Sequence, residues 1–77
     1  MTIMKGVIRV SAELIPQEEG GFTVYCPELD IYTQGETEQE CLDNLKEAAL
    51  LHIEEVGVEQ IKIKPVQHRT LELSLSA

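Results

Sequence analysis

Residues 26–49, "CPELDIYTQGETEQECLDNLKEAA", mark the point at which this chain changes from strands to a helix. An alternating run ends at Pro27, because proline cannot donate a hydrogen bond to a central ladder. "IYTQG" (31–35) then predicts a short strand that a glycine closes. From Thr37 onward the residues are good helix formers. The stretch therefore predicts the end of one strand, a second strand and a helix, in that order.

The predicted helix has a clear start and a clear stop. "TEQE" has the pattern of a capping box, in which the Thr37 side chain accepts from the Glu40 amide and the Glu40 carboxylate reaches back to the Thr37 amide. Good helix formers continue to Val56, and Gly57 suits the left-handed conformation that ends a helix. We therefore expect a helix from Thr37 to Val56.

At about 100° per residue, this helix separates into an apolar side and an acidic side. The apolar side consists of Leu42, Leu45, Ala49, Ile53 and Val56. The acidic side consists of Glu40, Asp43, Glu47 and Glu54. Leu50 and Leu51 fit neither side and fall at the two margins of the acidic one. Two exposed leucines in these positions predict an interface with another chain.

Two runs upstream of the helix complete a meander. "GVIRVSAEL" (6–14) alternates, and one of its sides consists of Ile8, Val10, Ala12 and Leu14. "FTVYC" (22–26) alternates in the same way, and Gly20–Gly21 permit the positive φ values of a hairpin turn. With residues 31–35, these runs predict an antiparallel three-stranded meander.

A last alternating run, "TLELSLS" (70–76), predicts a fourth strand with its leucines on one side. A right-handed crossover would place this strand parallel to the first. Residues 57–67 are a connector to which the sequence assigns no role. We therefore predict an α+β fold of the order β-β-β-α-β, with one helix on one face of the sheet, in a single domain over residues 1–77.

Charge and composition exclude several classes of protein. Fourteen acidic residues oppose six basic ones, and the net charge of −8 argues against direct contact with nucleic acid. No apolar run has the length of a secretory signal or a membrane span. Cys26 and Cys41 have neither a CxxC nor a zinc spacing, which is typical of reduced thiols at apolar positions. We expect a cytoplasmic protein.

One pair of carboxylates, Glu28 and Asp30, has a spacing that could serve a divalent metal or acid–base catalysis. No third acid, histidine or glycine-rich loop lies at a matching spacing, so we assign this pair to a structural or surface role, or to partner contact. Cys41 lies near the helix N-terminus, where a thiol pKa falls, but no base lies nearby in sequence. We therefore predict no catalytic residue, no metal site and no cofactor.

"GGFTVYCPELDIYTQGETEQECLDNLKEA" (20–48) resembles the HicB-like antitoxin domain. The matching features are the aromatic after the double glycine, the strand ending in Pro-Glu-Leu, the Gly-x-Thr before the helix, and the Leu-x-x-Leu-x-x-Ala rhythm within it. The resemblance covers residues 7–56, and "TLELSLS" fits the last element of the family.

This resemblance implies a truncated ribonuclease-H-like fold without that enzyme's metal-binding carboxylates. It also implies a partner, a small basic toxin of HicA type that cleaves mRNA and whose active site the antitoxin domain covers. Full antitoxins of this type often add a C-terminal DNA-binding module. The sequence ends at Ala77, after the last predicted strand, so we expect no such module from it.

The hypothesis is therefore a non-enzymatic antitoxin domain in a toxin–antitoxin system, assembled as a homodimer or tetramer. The predicted contacts with the toxin are Glu28, Asp30, Glu40, Asp43 and Glu47, and the predicted oligomer contacts are Leu50 and Leu51. One alternative is a remnant metal-dependent nuclease of ribonuclease-H-like fold, which would need three convergent carboxylates. Another is an oligomeric domain that has no toxin, in which the acidic side serves solubility.

Overall fold

The structure, a computed structural model, describes residues 7–75 and shows three strands followed by one helix. The elements are β1 (Glu13–Pro16), β2 (Phe22–Cys26), β3 (Ile31–Gly35) and α1 (Glu38–Val56). The strands form one antiparallel sheet in the order β1-β2-β3. The predicted α+β class, the three-stranded meander and the helix are confirmed.

The turn between β1 and β2 depends on glycine. The Gln17 amide donates to the Gly21 carbonyl at 3.0 Å, and the Gly20 amide donates to the Gln17 carbonyl at 3.1 Å. Gly21 has a φ of 77°, and a Cβ added there would lie 2.8 Å from the Gly35 carbonyl oxygen. Gly21 therefore lets the hairpin pass closely over the end of β3.

The core lies between one face of the sheet and α1. It consists of Val24, Cys26, Leu29, Cys41, Leu45 and Ala49. The buried row of α1 is narrower than the predicted apolar side, since Leu42 and Val56 remain exposed. Neighbouring strands lie about 4.8 Å apart, so three strands make a sheet only about 10 Å wide, which covers little more than one row of a helix.

Both helix ends use the predicted residues, with one difference. The Glu40 amide donates to Thr37 Oγ1 at 3.1 Å, as the capping box predicts. The Glu40 carboxylate, however, accepts from the Glu36 amide at 3.4 Å and not from that of Thr37. Gly57, at a φ of 93°, ends the helix, and its amide donates to the Ile53 carbonyl at 2.8 Å.

One side chain of α1 joins the helix to the outer strand of the sheet. Asn44 Nδ2 donates to the Gln34 carbonyl oxygen at 2.8 Å. Gln34 belongs to β3, which has β2 as its neighbour on one side. This hydrogen bond therefore joins α1 to a backbone group of a strand at the sheet's edge.

The first strand is shorter than predicted and lies further along the chain. The sequence predicts a strand over 6–14, whereas β1 begins at Glu13 and residues 7–12 contain no strand. The ladder between β1 and β2 starts where Glu13 pairs with Tyr25, and β2 ends one residue later. Residues 7–12 thus extend past the end of their neighbour, and a strand without a neighbour has no ladder to stabilise it. Residue 6 lies outside the described residues.

The predicted fourth strand over 70–76 is not present in the part of it that the structure describes, residues 70–75. The connector does reach the body of the protein, because the Lys64 amide donates to the Glu28 carbonyl at 3.1 Å. Beyond it, His68 Nε2 lies 3.2 Å from Ser11 Oγ. Residues 69–75 have no strand neighbour, and the leucines among them remain exposed: Leu71 at 81%, Leu73 at 82% and Leu75 at 93%.

Candidate partner-binding surfaces

The first candidate surface is the acidic side of α1. Its members, all exposed, are Glu40, Asp43, Glu47 and Glu54. The helix contains six acidic residues and a single base, Lys46. Asp43 accepts a hydrogen bond from Gln39 Nε2 at 3.0 Å, one turn earlier, which helps to hold its carboxylate in place. This face therefore presents a concentrated negative potential that a basic surface could meet.

Glu28, a predicted contact residue, has a structural position. Glu28 as a whole residue is 9% exposed, and its carboxylate accepts two hydrogen bonds from Ser11, one from the amide at 2.8 Å and one from the hydroxyl at 2.6 Å. The Cys26 thiol lies 3.7 Å from the same carboxylate. The Ser11 hydrogen bonds hold the pKa of Glu28 below its usual value. Glu28 thus ties the segment before β1 to the loop after β2.

Asp30, the other half of the predicted carboxylate pair, has a different partner. It is exposed, has a φ of 55°, and accepts a hydrogen bond from the Tyr25 hydroxyl at 3.0 Å. This hydrogen bond raises the pKa of Tyr25, because it and the neighbouring negative charge favour the protonated phenol. Glu28 and Asp30 therefore do not act together at one site.

A pair of aromatic rings was missed at the sequence level. Tyr25 and Tyr32 face each other across β2 and β3, with ring centroids 4.3 Å apart and planes at 26°. The alternation places Tyr25 opposite to the core residues Val24 and Cys26. The cross-strand register was needed to show that Tyr32 lies beside it. With Asp30, the half-buried Tyr25 and the exposed Tyr32 form a second candidate patch, on the sheet face away from α1.

The two cysteines lie in the core, as their positions in the predicted apolar pattern indicated. Both are free and fully buried. Burial raises the pKa of the Cys26 thiol. Burial, followed by the nearby carboxylates of Glu40 and Glu38, raises the pKa of the Cys41 thiol as well. Each thiol therefore stays protonated at neutral pH, which opposes nucleophilic chemistry.

An apolar groove runs between the segment before β1 and α1, with a volume of about 590 Å³. Residues before β1 supply one wall: Val7, Ile8, Val10 and Ala12. The helix supplies the other: Leu42, Leu45, Lys46, Ala49, Leu50 and Ile53. Leu29 and Val58 complete the lining. Lys46 supplies the single charged side chain of this lining.

Of the two leucines that were predicted to form an oligomer interface, one lines the groove and the other does not. Leu50 is 58% exposed and Leu51 is 55% exposed, so both are available for contact. Leu50 lines the groove, whereas Leu51 does not. The interface itself stays a prediction, but the two side chains belong to different surfaces.

Within residues 7–75, no group of three or more histidine, cysteine, aspartate and glutamate side chains is arranged to hold a metal ion.

The same residues contain no helix that is both long enough and apolar enough to span a membrane.

Comparisons with protein-family models, with curated proteins and with solved structures find no match to this chain.

Proposed function

We propose that this chain is a HicB-like antitoxin domain that binds and masks a small basic, mRNA-cleaving toxin and performs no catalysis itself. The observation that carries the proposal is the distribution of charge. Twelve of the fourteen acidic residues fall within residues 13–56, where Lys46 is the single base. A folded unit of this charge suits a basic partner and repels the phosphate backbone of RNA.

The order of elements supports the same proposal. Three antiparallel strands followed by one helix are the part of the HicB-like fold that precedes its last strand. The resemblance of residues 20–48 spans the elements from β2 to α1. In the proposed fold, residues 70–76 form a fourth strand beside β1, either of their own chain or of a second copy, and complete a partial ribonuclease-H-like sheet.

The proposed mechanism is steric masking helped by charge. The acidic side of α1 docks on the basic surface with which the toxin holds RNA, and the bulk of the domain excludes the substrate. Complementary charge of this kind raises the association rate and the choice of partner more than the affinity itself. The proposed contacts are Asp30, Glu40, Asp43 and Glu47. Glu28 is omitted, because Ser11 already holds its carboxylate.

The test starts from the reading frames adjacent to that of this chain: a small basic protein encoded there is co-expressed with the chain, and co-purification and an mRNA-cleavage assay follow. We expect the two proteins to purify together and cleavage to stop when they are mixed in equal amounts. The double variant Asp43→Lys with Glu47→Lys should slow association about 10- to 100-fold at low salt, since it reverses the steering charge.

The matched control is the double variant Glu18→Lys with Glu19→Lys. It changes the net charge by the same amount, but in the exposed turn between β1 and β2. We expect it to retain most of the association rate. If both double variants lose association rate equally, the net charge of the protein steers association and the position of the charges on α1 does not matter. Undiminished cleavage in the presence of excess antitoxin domain would overturn the proposal.

A further inference from the structure

The single chain is larger than a compact protein of its length. Its accessible surface is 6872 Å², whereas a compact monomer of 8.6 kDa exposes about 4,700 Å². Its Cα radius of gyration is 15.9 Å, against about 11 Å for a compact domain of this length. The excess surface, about 2,000 Å², exceeds the roughly 800 Å² that each partner buries in a stable interface.

Two segments account for an important part of this exposure. Residues 7–12 and residues 70–75 both have the alternating pattern of a strand, yet neither has a strand neighbour. Residues 7–12 form one wall of the apolar groove, and residues 70–75 carry the three most exposed leucines after β1. One segment thus offers an apolar surface, and the other offers apolar side chains of matching period.

We propose that this protein forms a dimer in which residues 70–75 of each copy occupy the apolar groove of the other copy. The leucines of the segment enter the groove, while Glu72 and Ser74, on the alternate side, stay in water. Backbone groups of residues 70–75 then pair with the edge of residues 7–12 and β1 that has no strand neighbour, apart from the Ser11 amide, which donates to Glu28. This is strand addition to an exposed edge, here reciprocal between two copies.

Charge complementarity favours a second copy as the occupant. The segment after α1 carries Lys62, Lys64 and Arg69 against Glu59 and Glu72, so it has a net positive charge in an acidic chain. The body it would approach is strongly acidic. The part that would enter the groove, residues 70–75, carries Glu72 and no basic residue, so it is not repelled by Lys46 on the groove wall. The pairing of two copies therefore places unlike charges together.

The connector also brings the segment to the correct edge of the sheet. His68 lies beside β1, with its Nδ1 3.7 Å from the Glu13 carboxylate and its Nε2 3.2 Å from Ser11 Oγ. In spite of this proximity, the leucines that follow do not enter the groove of their own chain. Exchange between two copies buries both groups of apolar side chains at once. It requires no toxin, and so it stands or falls separately from the proposed function.

Two matched pairs of variants of the full chain test this dimer. Leu50→Asp places a charge on the groove wall, and Leu51→Asp places one at an equally exposed position outside it. Leu73→Asp places a charge among the leucines, and Ser74→Asp places one on the alternate side. In sedimentation velocity, we expect Leu50→Asp and Leu73→Asp to raise the dimer dissociation constant at least about tenfold. We expect Leu51→Asp and Ser74→Asp to change it less than about twofold.

A mixing experiment distinguishes exchange from other dimers. When the Leu50→Asp chain is mixed with the Leu73→Asp chain, the heterodimer contains one intact contact, between the normal segment of one copy and the normal groove of the other. We therefore expect the mixture to dimerise at least about fivefold more tightly than either variant alone, because both contacts are damaged in each homodimer. Fluorescence transfer between differently labelled chains reports the heterodimer directly.

Three results would overturn the proposal. A wild-type chain that stays monomeric up to about 100 µM would indicate that the segment folds onto its own body. Equal weakening by Leu50→Asp and Leu51→Asp would indicate that helices, and not exchanged segments, form the interface. A mixture no tighter than its components would show that Leu50 and Leu73 do not meet. Far-UV circular dichroism checks the fold of each variant, and Leu50→Ser repeats the groove test with an uncharged residue.

Discussion

Two regions of this molecule have the same kind of sequence pattern and different structures. "FTVYC" in β2 and "TLELSLS" at residues 70–76 both alternate apolar and polar residues. The first is a strand with a neighbour on each side, and the described part of the second contains no strand. Alternation sets which side a residue would face, but the ladder forms only where a neighbouring backbone supplies hydrogen bonds.

The boundary between the two regions falls at Glu28. This carboxylate holds Ser11, and its backbone carbonyl accepts from the Lys64 amide. On one side of this point lies the packed body, β1 to α1. On the other side lie residues 7–12 and 70–75, which do not pair with any strand. Substitutions in the body and at Glu28 can show how much each contact contributes to stability.

The largest loss of stability is expected when a buried side chain in the packed body is truncated. Leu45→Ala removes most of a leucine that is 4% exposed, and the cavity it leaves should lower the free energy of unfolding by about 2–4 kcal/mol. Urea unfolding followed by circular dichroism measures this loss. Leu51→Ala, on the exposed side of the same helix, should cost less than about 0.5 kcal/mol. Similar losses for both would contradict the assignment of a single buried row.

The next loss is expected in the hairpin of the body. Gly21→Ala must place its Cβ 2.8 Å from a carbonyl oxygen at a φ of 77°, which should cost about 2–3 kcal/mol. At Gly20, an added Cβ would have no atom within 4 Å, but a φ of 105° is strained for alanine. Gly20→Ala should therefore lower the free energy of unfolding by about 1 kcal/mol. Thermal unfolding of the two variants side by side checks the order. A larger loss for Gly20→Ala would disprove the close approach of Gly21 to β3.

The stability that Glu28 contributes should depend on pH. Because its folded pKa lies below the usual 4.5, Glu28 stabilises the native state above that pH, and this stabilisation is lost as the pH falls through the folded pKa. Glu28→Gln should remove about 1–2 kcal/mol at pH 7 and flatten the fall in stability below about pH 4.5. Unfolding midpoints between pH 3 and pH 7, an experimental range of about four units, measure both effects.

Glu18→Gln, in the exposed turn, is the matched control for Glu28→Gln. It should leave the fall in stability at acidic pH unchanged. If Glu28→Gln also leaves it unchanged, Ser11 does not stabilise the ionised carboxylate.

The smallest loss is expected at the start of α1. Thr37→Ala removes the hydroxyl that accepts from the Glu40 amide and should cost about 1 kcal/mol. Thr37→Ser keeps the acceptor and should retain most of the stability. Helix content and urea midpoints of both variants check the cap. Losses of the same size would assign the effect to the methyl group and not to the hydrogen bond.

The body could be predicted closely because its signals are local. Pro27 ends β2, Gly35 ends β3, and Thr37 and Gly57 flank α1, each by the geometry of a single residue. The limits of the first strand could not be predicted this way, because they depend on where its neighbour stops. The last predicted strand is not present in residues 70–75 for a similar reason, since alternation does not indicate which backbone lies alongside.

The candidate surfaces were predicted less completely than the fold. The acidic side of α1 follows from helical periodicity, so its exposure could be anticipated. The buried position of Glu28 could not, because the hydrogen bonds that hold it come from Ser11, seventeen residues earlier in the chain. The groove and the Tyr25–Tyr32 pair likewise require the register of the sheet and the position of the helix.

The hydrogen bond from Asn44 to the Gln34 carbonyl has a consequence for solubility at high concentration. A strand arriving at β3 would compete with a side chain that already occupies one of its backbone acceptors. The sheet can therefore grow more easily at β1 than at β3. In the proposed dimer, residues 70–75 of the other copy occupy the β1 margin, and Asn44 acts at the other margin, β3. A side chain that occupies an acceptor at a strand edge opposes the edge-to-edge stacking that leads to fibrils.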